Sequence, residues 1–518
     1  MRRPIPVIDL FAGPGGLGEG FASARTPSGG RCFEVCLSIE KDAAAHRTLE
    51  LRSFMRSFPR RPPDAYYDYL AGRLSRDALF SLRSTRDQSA HARREAVQLK
   101  LGPDTHAESS NLVRAALAGA DPWILVGGPP CQAYSLVGRS RMRPIDPGRF
   151  EKDERHYLYK EYLRIIAEHE PPVFIMENVR GILSSTVAGR RIFDQILLDL
   201  SRPNGGSLRY RIVPLHSPSD LFSARPEDYI VRCERHGVPQ ARHRVILCGI
   251  REDILGRPDY LTPCSRPATI EDAIADLPQI RSRISREEDS HEAWLGILWD
   301  ACTRLESRGG AALADVVKVM KSGLKRARSI ESPGGEQVRY VSSSVRPSGA
   351  GRELRTWYRD GELTRVTGHE SRSHMRADLQ RYLFAASFAA ARGNVSPTIA
   401  DFPRHLLPQH ENVQSGSSET PFADRFRVQV CGRPSTTVVS HISKDGHYYI
   451  HPDPAQCRSL TVREAARLQT FPDNYYFAGN RTQQFHQVGN AVPPLLARQI
   501  AESISAFLRK PLKTPGAG

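Results

Sequence analysis

Short apolar runs alternate with amphipathic stretches along the first half of the chain. The apolar runs have the length and composition of buried strands and lie at residues 5–10, 34–39, 123–126, 173–176 and 245–250. Amphipathic stretches that predict helices lie between them at residues 42–55, 111–117 and 154–169. Strands that alternate with helices predict an α/β fold built on a doubly wound, mostly parallel sheet.

The pattern changes near residue 278, and this change predicts the domain organisation. Residues 279–430 contain few strand-like runs and many serine, glycine and arginine residues, and a helical pattern returns from residue 460. We therefore predict a first domain over 1–278, a second, basic domain over 279–430, and a segment over 431–518 that returns to the first domain. Within the first domain, residues 56–109 are arginine-rich and irregular, which indicates an insertion.

The length of the chain agrees with a division into domains, and its net charge indicates the class of binding partner. The 518 residues exceed what one hydrophobic core usually supports. Lysine and arginine (73) outnumber aspartate and glutamate (57), and the isoelectric point is near 9.6. Such an excess favours a polyanionic partner, above all nucleic acid. An ordinary enzyme with an arginine-rich surface has the same balance, so charge alone leaves both interpretations open.

Cysteine spacing and hydropathy argue against a metalloprotein, a disulfide-bonded secreted protein and a membrane protein. The nine cysteines form no C-x-x-C pair, so neither a zinc site nor another metal site is predicted, and a disulfide framework is unexpected in so long a chain. The N-terminal sequence MRRPIPVIDLF resembles neither a signal peptide nor a membrane span, and no later apolar run is long enough to cross a bilayer. We expect a cytoplasmic protein without a membrane partner.

A glycine-rich turn follows the first predicted strand. Gly13, Gly15 and Gly18 match the pattern G-x-G-x-x-G, and Glu40 ends the next strand. Glycines allow the backbone to approach a ligand closely, and a carboxylate at that position accepts hydrogen bonds from ribose hydroxyls. NAD, FAD and S-adenosylmethionine all fit this geometry. A plain glycine turn is less favoured, because strand, turn, helix and acid follow in order.

Three further polar groups stand at the ends of predicted strands. Cys131 lies in GGPPCQAYS (127–135), Glu177 ends the apolar run before Asn178, and Arg242 and Arg244 lie in QARHR directly before an apolar run. Each group also has a purely structural interpretation. Cys131 could be an inert core cysteine, Glu177 could cap a turn, and Arg242 and Arg244 could belong to a basic strand end that faces solvent. A thiol becomes a nucleophile where its pKa is lowered or a base is near. A thiol, an acid and two guanidinium groups at strand ends, beside a glycine-rich turn that fits a nucleotide, therefore predict a catalytic site.

These motifs together resemble the DNA cytosine-5 methyltransferases of prokaryotic type. The resemblance rests on DLFAGPGGLGEGF (9–21), GGPPCQAYS (127–135), MENVRG (176–181), PQARHRV (239–245), RSLTVREAARLQTFPDNY (458–475) and QVGNAVPP (487–494). Residues 279–430 match no motif, as expected where this family carries its variable target-recognition domain.

The resemblance implies a mechanism and a set of site residues. The thiolate of Cys131 would add to C6 of a cytosine flipped out of duplex DNA, Glu177 would hydrogen-bond or protonate N3, Arg244 would hold O2, and Arg242 would orient the base or bind phosphate. S-adenosyl-L-methionine would be the cofactor. Its predicted contacts are Phe11, Ala12, Gly13, Gly15, Glu40, Lys41, Pro130, Asn490, Ala491 and Val492. Asp104 is the candidate for the acid that contacts the adenine amino group.

The expected role is a monomeric modification enzyme for double-stranded DNA, paired functionally with a restriction endonuclease. The basic run 318–328 is expected to bind phosphates or, alternatively, to form a solvated helix face, and residues 355–359 are expected to approach bases. Three other functions compete with this one. A nicotinamide dehydrogenase leaves the cysteine block unexplained, a transfer-RNA cytosine methyltransferase resembles a more minimal core, and a silent DNA-binding paralogue conflicts with the intact Cys131, Glu177 and Arg244.

Overall fold

The computed structural model describes residues 3–130, 155–187, 190–216, 224–340, 349–408 and 424–509. Its strands are β1 (Ile5–Leu10), β2 (Phe33–Glu40), β3 (Ala96–Gln98), β4 (Ile124–Gly127), β5 (Val173–Val179), β6 (Thr186–Val187), β7 (Arg190–Arg191), β8 (Tyr210–Val213), β9 (Ile230–Arg232), β10 (Gln240–Ala241), β11 (His243–Arg251), β12 (Arg283–Ile284), β13 (Gly334–Arg339), β14 (Arg365–Glu370), β15 (Ser373–His374) and β16 (Ser435–Thr436).

The α-helices, also in chain order, are α1 (Gly16–Ser23), α2 (Ala43–Arg56), α3 (Asp64–Leu70), α4 (Arg76–Ser81), α5 (Arg86–Glu95), α6 (His106–Leu117), α7 (Arg155–His169), α8 (Ile192–Ser201), α9 (Ile270–Ile274), α10 (His291–Arg308), α11 (Ala314–Ala327), α12 (Ala350–Tyr358), α13 (Arg376–Ala391), α14 (Val462–Leu468), α15 (Arg481–Asn490) and α16 (Pro494–Arg509). The chain forms two compact units. The first comprises Met1–Pro62, Phe80–Arg266 and Ala491–Gly518, and the second comprises Pro63–Leu79 and Pro267–Asn490.

A central sheet organises the first unit. Its strand order is β3-β2-β1-β4-β5-β11-β8, with β9 also paired to β11. The five strands from β3 to β5 are parallel, whereas β11 runs antiparallel to β5, β8 and β9. The prediction of an α/β fold with a mostly parallel sheet is confirmed. Parallel strands bring their carboxyl ends to one edge, where open α/β sheets bind ligands.

Two hydrophobic cores cover the two faces of this sheet. Val7 and Val35 belong to one core together with apolar residues of α1 and α16. Ile8 and Leu10 belong to the other core, which contains apolar residues of α6, α7 and α8. The strands are apolar on both faces because helices cover both, and this explains why they stand out in the sequence as continuous apolar runs.

The interpretation of residues 56–109 as irregular is wrong. This stretch forms α3, α4 and α5, and β3 adds an edge strand to the central sheet beside β2. Helix α5 has the sequence RDQSAHARRE and buries only Ser89, Ala92 and Glu95. Polar and small residues form its buried face, so hydrophobic periodicity gives no signal. Helix α6 likewise begins at His106, earlier than its apolar pattern indicates.

The second unit is mainly helical. Helices α10, α11 and α13 pack around a core that contains Trp294, Leu298, Met320 and Leu383. Short strand pairs flank this core, with β13 antiparallel to β14 and β12 parallel to β15. The predicted recognition domain at 279–430 lies within this unit, and its role and limits stay predictions.

Candidate active site

The turn between β1 and α1 has the backbone conformation that its glycines allow. Gly13 and Gly15 have φ values of 58° and 92°, and Gly15 is the N-cap of α1. A residue with a side chain rarely adopts such values, so the glycines are required by the turn itself. Phe11 also has a positive φ of 55°, which is uncommon for an aromatic residue and marks local strain at the entrance to the turn.

Glu40 is bound directly to this turn. Its Oε2 accepts a hydrogen bond from the Gly13 N–H at 2.9 Å, and its Oε1 accepts one from the Asp42 N–H at 2.8 Å. The carboxylate at the end of β2 therefore lies beside the glycine turn, as the sequence predicts. Lys41 follows it and is exposed. A Cβ built on Gly13 would meet no atom within 4 Å, so the turn has open space at its surface.

The C-terminal segment packs against the same turn. A Cβ at Gly16 would overlap the carbonyl oxygen of Val492, and one at Gly20 would overlap Ala497, so α1 and α16 approach to backbone contact. Ala491 and Val492 are buried, and the Val492 carbonyl lies against Gly16 at the start of α1. Asn490 is exposed and belongs to the second unit.

The segment at residues 127–130 forms the end of β4 and the start of the loop that follows it. A Cβ at Gly127 would lie 2.6 Å from the Leu10 carbonyl oxygen, and one at Gly128 would lie 3.1 Å from Glu177 Oε2. The Asn178 side chain donates a 3.3 Å hydrogen bond to the Pro129 carbonyl. The glycines thus let the chain leave β4 beside Glu177. Pro130 is half-buried at the end of this stretch, and Cys131 lies outside the described residues.

Glu177 and Arg244 form an ion pair at the sheet edge. Arg244 Nε lies 2.8 Å from Glu177 Oε1, and the two side chains are 10% and 12% exposed. Arg244 Nη1 also donates to the His243 carbonyl at 2.8 Å. Glu177 and Arg244 lie on neighbouring strands, β5 and β11, which pair antiparallel. In their register Ile246 lies opposite Glu177 and Arg244 lies opposite Val179, so Glu177 and Arg244 are diagonal neighbours. The carboxylate is therefore balanced by a cation in a largely buried position.

Arg242 has a different environment. It is 1% exposed, and its Nη2 donates to the Ala491 carbonyl at 2.9 Å. Gln240 and Arg244 are also buried, so the alternative of a basic strand end that faces solvent is wrong. The observed hydrogen bond gives Arg242 a structural part in joining β11 to the C-terminal segment.

Cys233 and Cys248 lie in or near the central sheet and are weak nucleophiles. Cys233 and Cys248 are fully buried, and burial raises the pKa of each thiol to about 12. Both are protonated near neutral pH, and a protonated thiol is a weak nucleophile. The sequence favours inert core positions for all cysteines other than Cys131. That expectation holds for Cys32, Cys233, Cys248, Cys302 and Cys457, which are buried, but is wrong for Cys36, Cys264 and Cys431, which are partly exposed.

Two residues of this region did not stand out in the sequence. Asp9 lies buried in β1, and its Oδ2 accepts a 3.2 Å hydrogen bond from the Gly18 N–H of α1. Burial raises the pKa of Asp9 to about 7. Asn178 holds Pro129, as described above. An acid inside the apolar run VIDLF was the available signal for Asp9. Asp104, the candidate for adenine, is exposed in the turn after β3.

Comparison with known proteins identifies the family of this chain. A family model of the C-5 cytosine-specific DNA methylases matches residues 104–506. The type II methyltransferase M.Bpa9945I of Bacillus paralicheniformis is 30% identical over 522 residues, which cover 96% of this chain and 98% of that protein. The type II methyltransferase M.AgeI of Thalassovita gelatinovora is 26% identical over 532 residues, covering 97% and 100%.

A solved structure shares the fold. The crystal structure of a candidate DNA modification methyltransferase encoded within an E. coli prophage has a TM-score of 0.54 at 18% identity, covering 98% of this chain and 100% of that one. The central sheet and the match to the family model together define the protein as a methyltransferase. The chain belongs to the C-5 cytosine-specific DNA methylases, and its enzyme class is DNA (cytosine-5-)-methyltransferase. Within the described ranges, no helix is long and apolar enough to span a membrane.

Proposed function

We propose that this enzyme methylates C5 of a cytosine flipped out of double-stranded DNA, with Cys131 as the nucleophile. The observation that carries the proposal is the Glu177–Arg244 pair, which lies beside the point where the chain leaves β4 for Cys131. A stacked base cannot reach such a recessed edge, so the cytosine must leave the helix.

The proposed chemistry uses one acid, one cation and one thiolate. Cys131 adds to C6 while Glu177 takes a proton from solvent and passes it to N3, which lets the ring accept the electron pair as the C6–S bond forms. Arg244 binds O2 and balances the developing charge. C5 then takes the methyl group and loses its proton to solvent. The C6–S bond breaks, the thiolate is released, and the N3 proton returns to Glu177.

The residues around the glycine turn fit S-adenosyl-L-methionine. This cofactor supplies the methyl group when bound. Glu40 has the carboxylate that ribose hydroxyls require, and Gly13 leaves open space at the surface of the turn. Phe11, Ala12, Gly15, Lys41, Pro130, Asn490, Ala491 and Val492 are the further proposed contacts, with Asp104 proposed for the adenine amino group.

We also propose that residues 279–430 recognise the DNA target. Lys325 and Arg326 are exposed on α11, and Arg326 pairs with Asp453 at 2.8 Å, so part of the basic charge is neutralised within the unit. The expectation that residues 355–359 approach bases needs correction for Tyr358. That side chain is 1% exposed and its hydroxyl donates to the Arg467 carbonyl, so it faces the interior.

The relatives' names support the biological role. Both are named type II methyltransferases. We propose that this enzyme is the modification partner of a restriction endonuclease, that it acts as a monomer, and that it works in the cytoplasm, where bacterial DNA is accessible.

A methyl-transfer assay tests the proposal. Wild-type enzyme is incubated with S-adenosylmethionine labelled in its methyl group and with either duplex DNA or transfer RNA. Label should enter C5 of cytosine in the duplex alone. Transfer to RNA alone would identify a transfer-RNA methyltransferase, and DNA binding without transfer would identify a silent paralogue.

A further inference from the structure

A cavity of about 640 Å³ lies in the first unit, between the C-terminal ends of α1 and α2, the start of β2, and α5. Drug-sized ligands and cofactors occupy pockets of roughly 300–1,000 Å³. The cavity is lined by Arg25, Arg31 and Arg60 and by the less polar Met55 and Phe58, so it offers both positive charge and apolar contact.

Arg25 and Arg31 face each other across an antiparallel bridge. Arg25 Nη1 donates to the Ala22 carbonyl at 2.7 Å, and Arg31 Nη2 donates to the Arg56 carbonyl at 2.7 Å. Neither guanidinium forms an ion pair with a carboxylate in the described part of the chain. Like charges directly opposite each other are destabilising, and an anion between them would remove this cost.

Two backbone hydrogen bonds close the turn between the arginines. Thr26 N–H donates to the Gly30 carbonyl and Gly29 N–H donates to the Thr26 carbonyl, both at 2.8 Å. Partial desolvation, and then the charge of Arg31, lower the pKa of Arg25, in agreement with their mutual repulsion.

The most buried acids of the cavity are already paired. Glu19 accepts from Arg52 at 2.5 Å and 2.8 Å, and Glu95 pairs with Arg56. Arg25, Arg31 and Arg60 also line the cavity, together with the acids Glu34 and Asp87. The three arginines outnumber these two acids, so the cavity keeps positive charge for an anion from solution.

The cavity is separate from the candidate active site. It lies at the amino end of β2, near Phe33, whereas Glu40 stands at the carboxyl end of the same strand. Seven residue steps separate Phe33 from Glu40, a distance of roughly 23 Å. A ligand here could not share the cofactor turn.

We propose that this cavity binds a small phosphorylated molecule of mononucleotide size. Its phosphate lies between Arg25 and Arg31, because the planar guanidinium matches a phosphate through two parallel hydrogen bonds. Its less polar part lies against Met55 and Phe58. The site does not depend on the proposed methyl-transfer mechanism.

Calorimetric titration of the full-length enzyme tests this site. The probes are inorganic pyrophosphate and AMP, each added with saturating S-adenosylhomocysteine so that the adenine of AMP cannot use the cofactor turn. We expect one probe molecule per chain and tighter binding of AMP. Arg31→Ala should weaken both by about 10-fold to 100-fold, as for the loss of a charged hydrogen-bond donor. Arg25→Ala provides a second variant, because its side chain is exposed.

Arg47→Ala is the matched control. Arg47 is exposed on α2 outside the cavity lining, and its replacement should leave both affinities unchanged. Absence of binding by wild-type enzyme at millimolar probe would overturn the proposal, as would equal binding by wild type and Arg31→Ala. Weaker binding of duplex DNA by Arg31→Ala, without binding of either probe, would identify a DNA contact and also reject it.

Discussion

Buried arginine–carboxylate pairs occur in both units, but their surroundings differ. In the first unit, Glu177 and Arg244 retain 12% and 10% exposure and meet through one close contact of 2.8 Å. In the second unit, Arg467 is 1% exposed and reaches both oxygens of Asp473 at 2.8 Å and 2.7 Å, together with Asp276 and the Ala273 carbonyl.

The same contrast holds for Arg458. It donates to both oxygens of Glu464, to Gln456 and to the Ile280 carbonyl, all within the second unit. Such saturation leaves no donor for a ligand, so the motif RSLTVREAARLQTFPDNY serves stability. A partly accessible pair with few hydrogen bonds, at the edge of a sheet, keeps atoms free for a substrate. Saturation of hydrogen bonds therefore separates structural ion pairs from candidate catalytic ones.

The largest expected effect comes from Cys131, the proposed nucleophile. Cys131→Ser should abolish methyl transfer, because a serine hydroxyl without a dedicated base is a far poorer nucleophile. Labelled-cofactor assays measure this, and equilibrium dialysis should give an unchanged affinity for the cofactor. Turnover near the wild-type rate would reject the covalent mechanism.

Glu177→Gln should slow catalysis by about 10²–10⁴-fold, since an amide cannot give N3 a proton. DNA affinity should be retained, because the amide still hydrogen-bonds to the ring. Single-turnover kinetics on duplex DNA measure the chemical step. An unchanged rate would make Glu177 a structural residue and remove the contrast between the two pairs.

Asp473→Asn should instead reduce the free energy of unfolding, by about 3–5 kcal/mol, because it leaves the charge of Arg467 buried with a weaker partner. Urea-induced unfolding measures this change. Glu306→Gln is the matched control, because Glu306 and Lys321 form an exposed pair at 2.5 Å, and an exposed pair contributes little to stability. Equal effects of the two variants would mean that burial does not distinguish them.

Asp9 extends the comparison to pH. Burial raises its pKa from 3.8 to about 7, so folding favours the neutral acid. The stability that Asp9 contributes is complete below its unfolded pKa and is lost as pH rises through its folded pKa. Between 3.8 and about 7, the wild type should lose stability relative to Asp9→Asn. Thermal unfolding across this range tests the sign, and parallel profiles would contradict it.

The smallest expected effect concerns the exposed charges of the second unit. Replacing Lys325 and Arg326 with alanine should weaken binding to every duplex and reduce the salt slope by about 1–2, because each phosphate contact contributes about 0.9. The preferred site should not change, since phosphate contacts carry no sequence information. Titrations at several salt concentrations measure the slope. An unaltered slope would identify a solvated helix face.

The sequence alone determined five of the eight strands of the central sheet and the positions of polar groups at their ends, whereas β3, β8 and β9 were not predicted. Residues 5–10 and 245–250 were predictable because helices cover both faces of the sheet, so these strands are apolar on both faces except at Asp9. Helix α2 was predictable from its amphipathic pattern, and Asp42 caps it through the Ala44 and Ala45 N–H groups. The glycine turn was readable because positive φ values leave few residues to choose from.

Only the tertiary structure decided which polar residues meet. Helix α5 escaped prediction because it is buried through Ser89, Ala92 and Glu95. The partners of Glu95, which are Ser53 and Arg56, lie in α2. The antiparallel register of β5 and β11 decided that Glu177 meets Arg244. Long-range pairing likewise joined Arg467 to Asp276 and to the Ala273 carbonyl. Hydrophobic patterns record burial along one segment, whereas a polar contact depends on two segments whose distance the sequence does not encode locally.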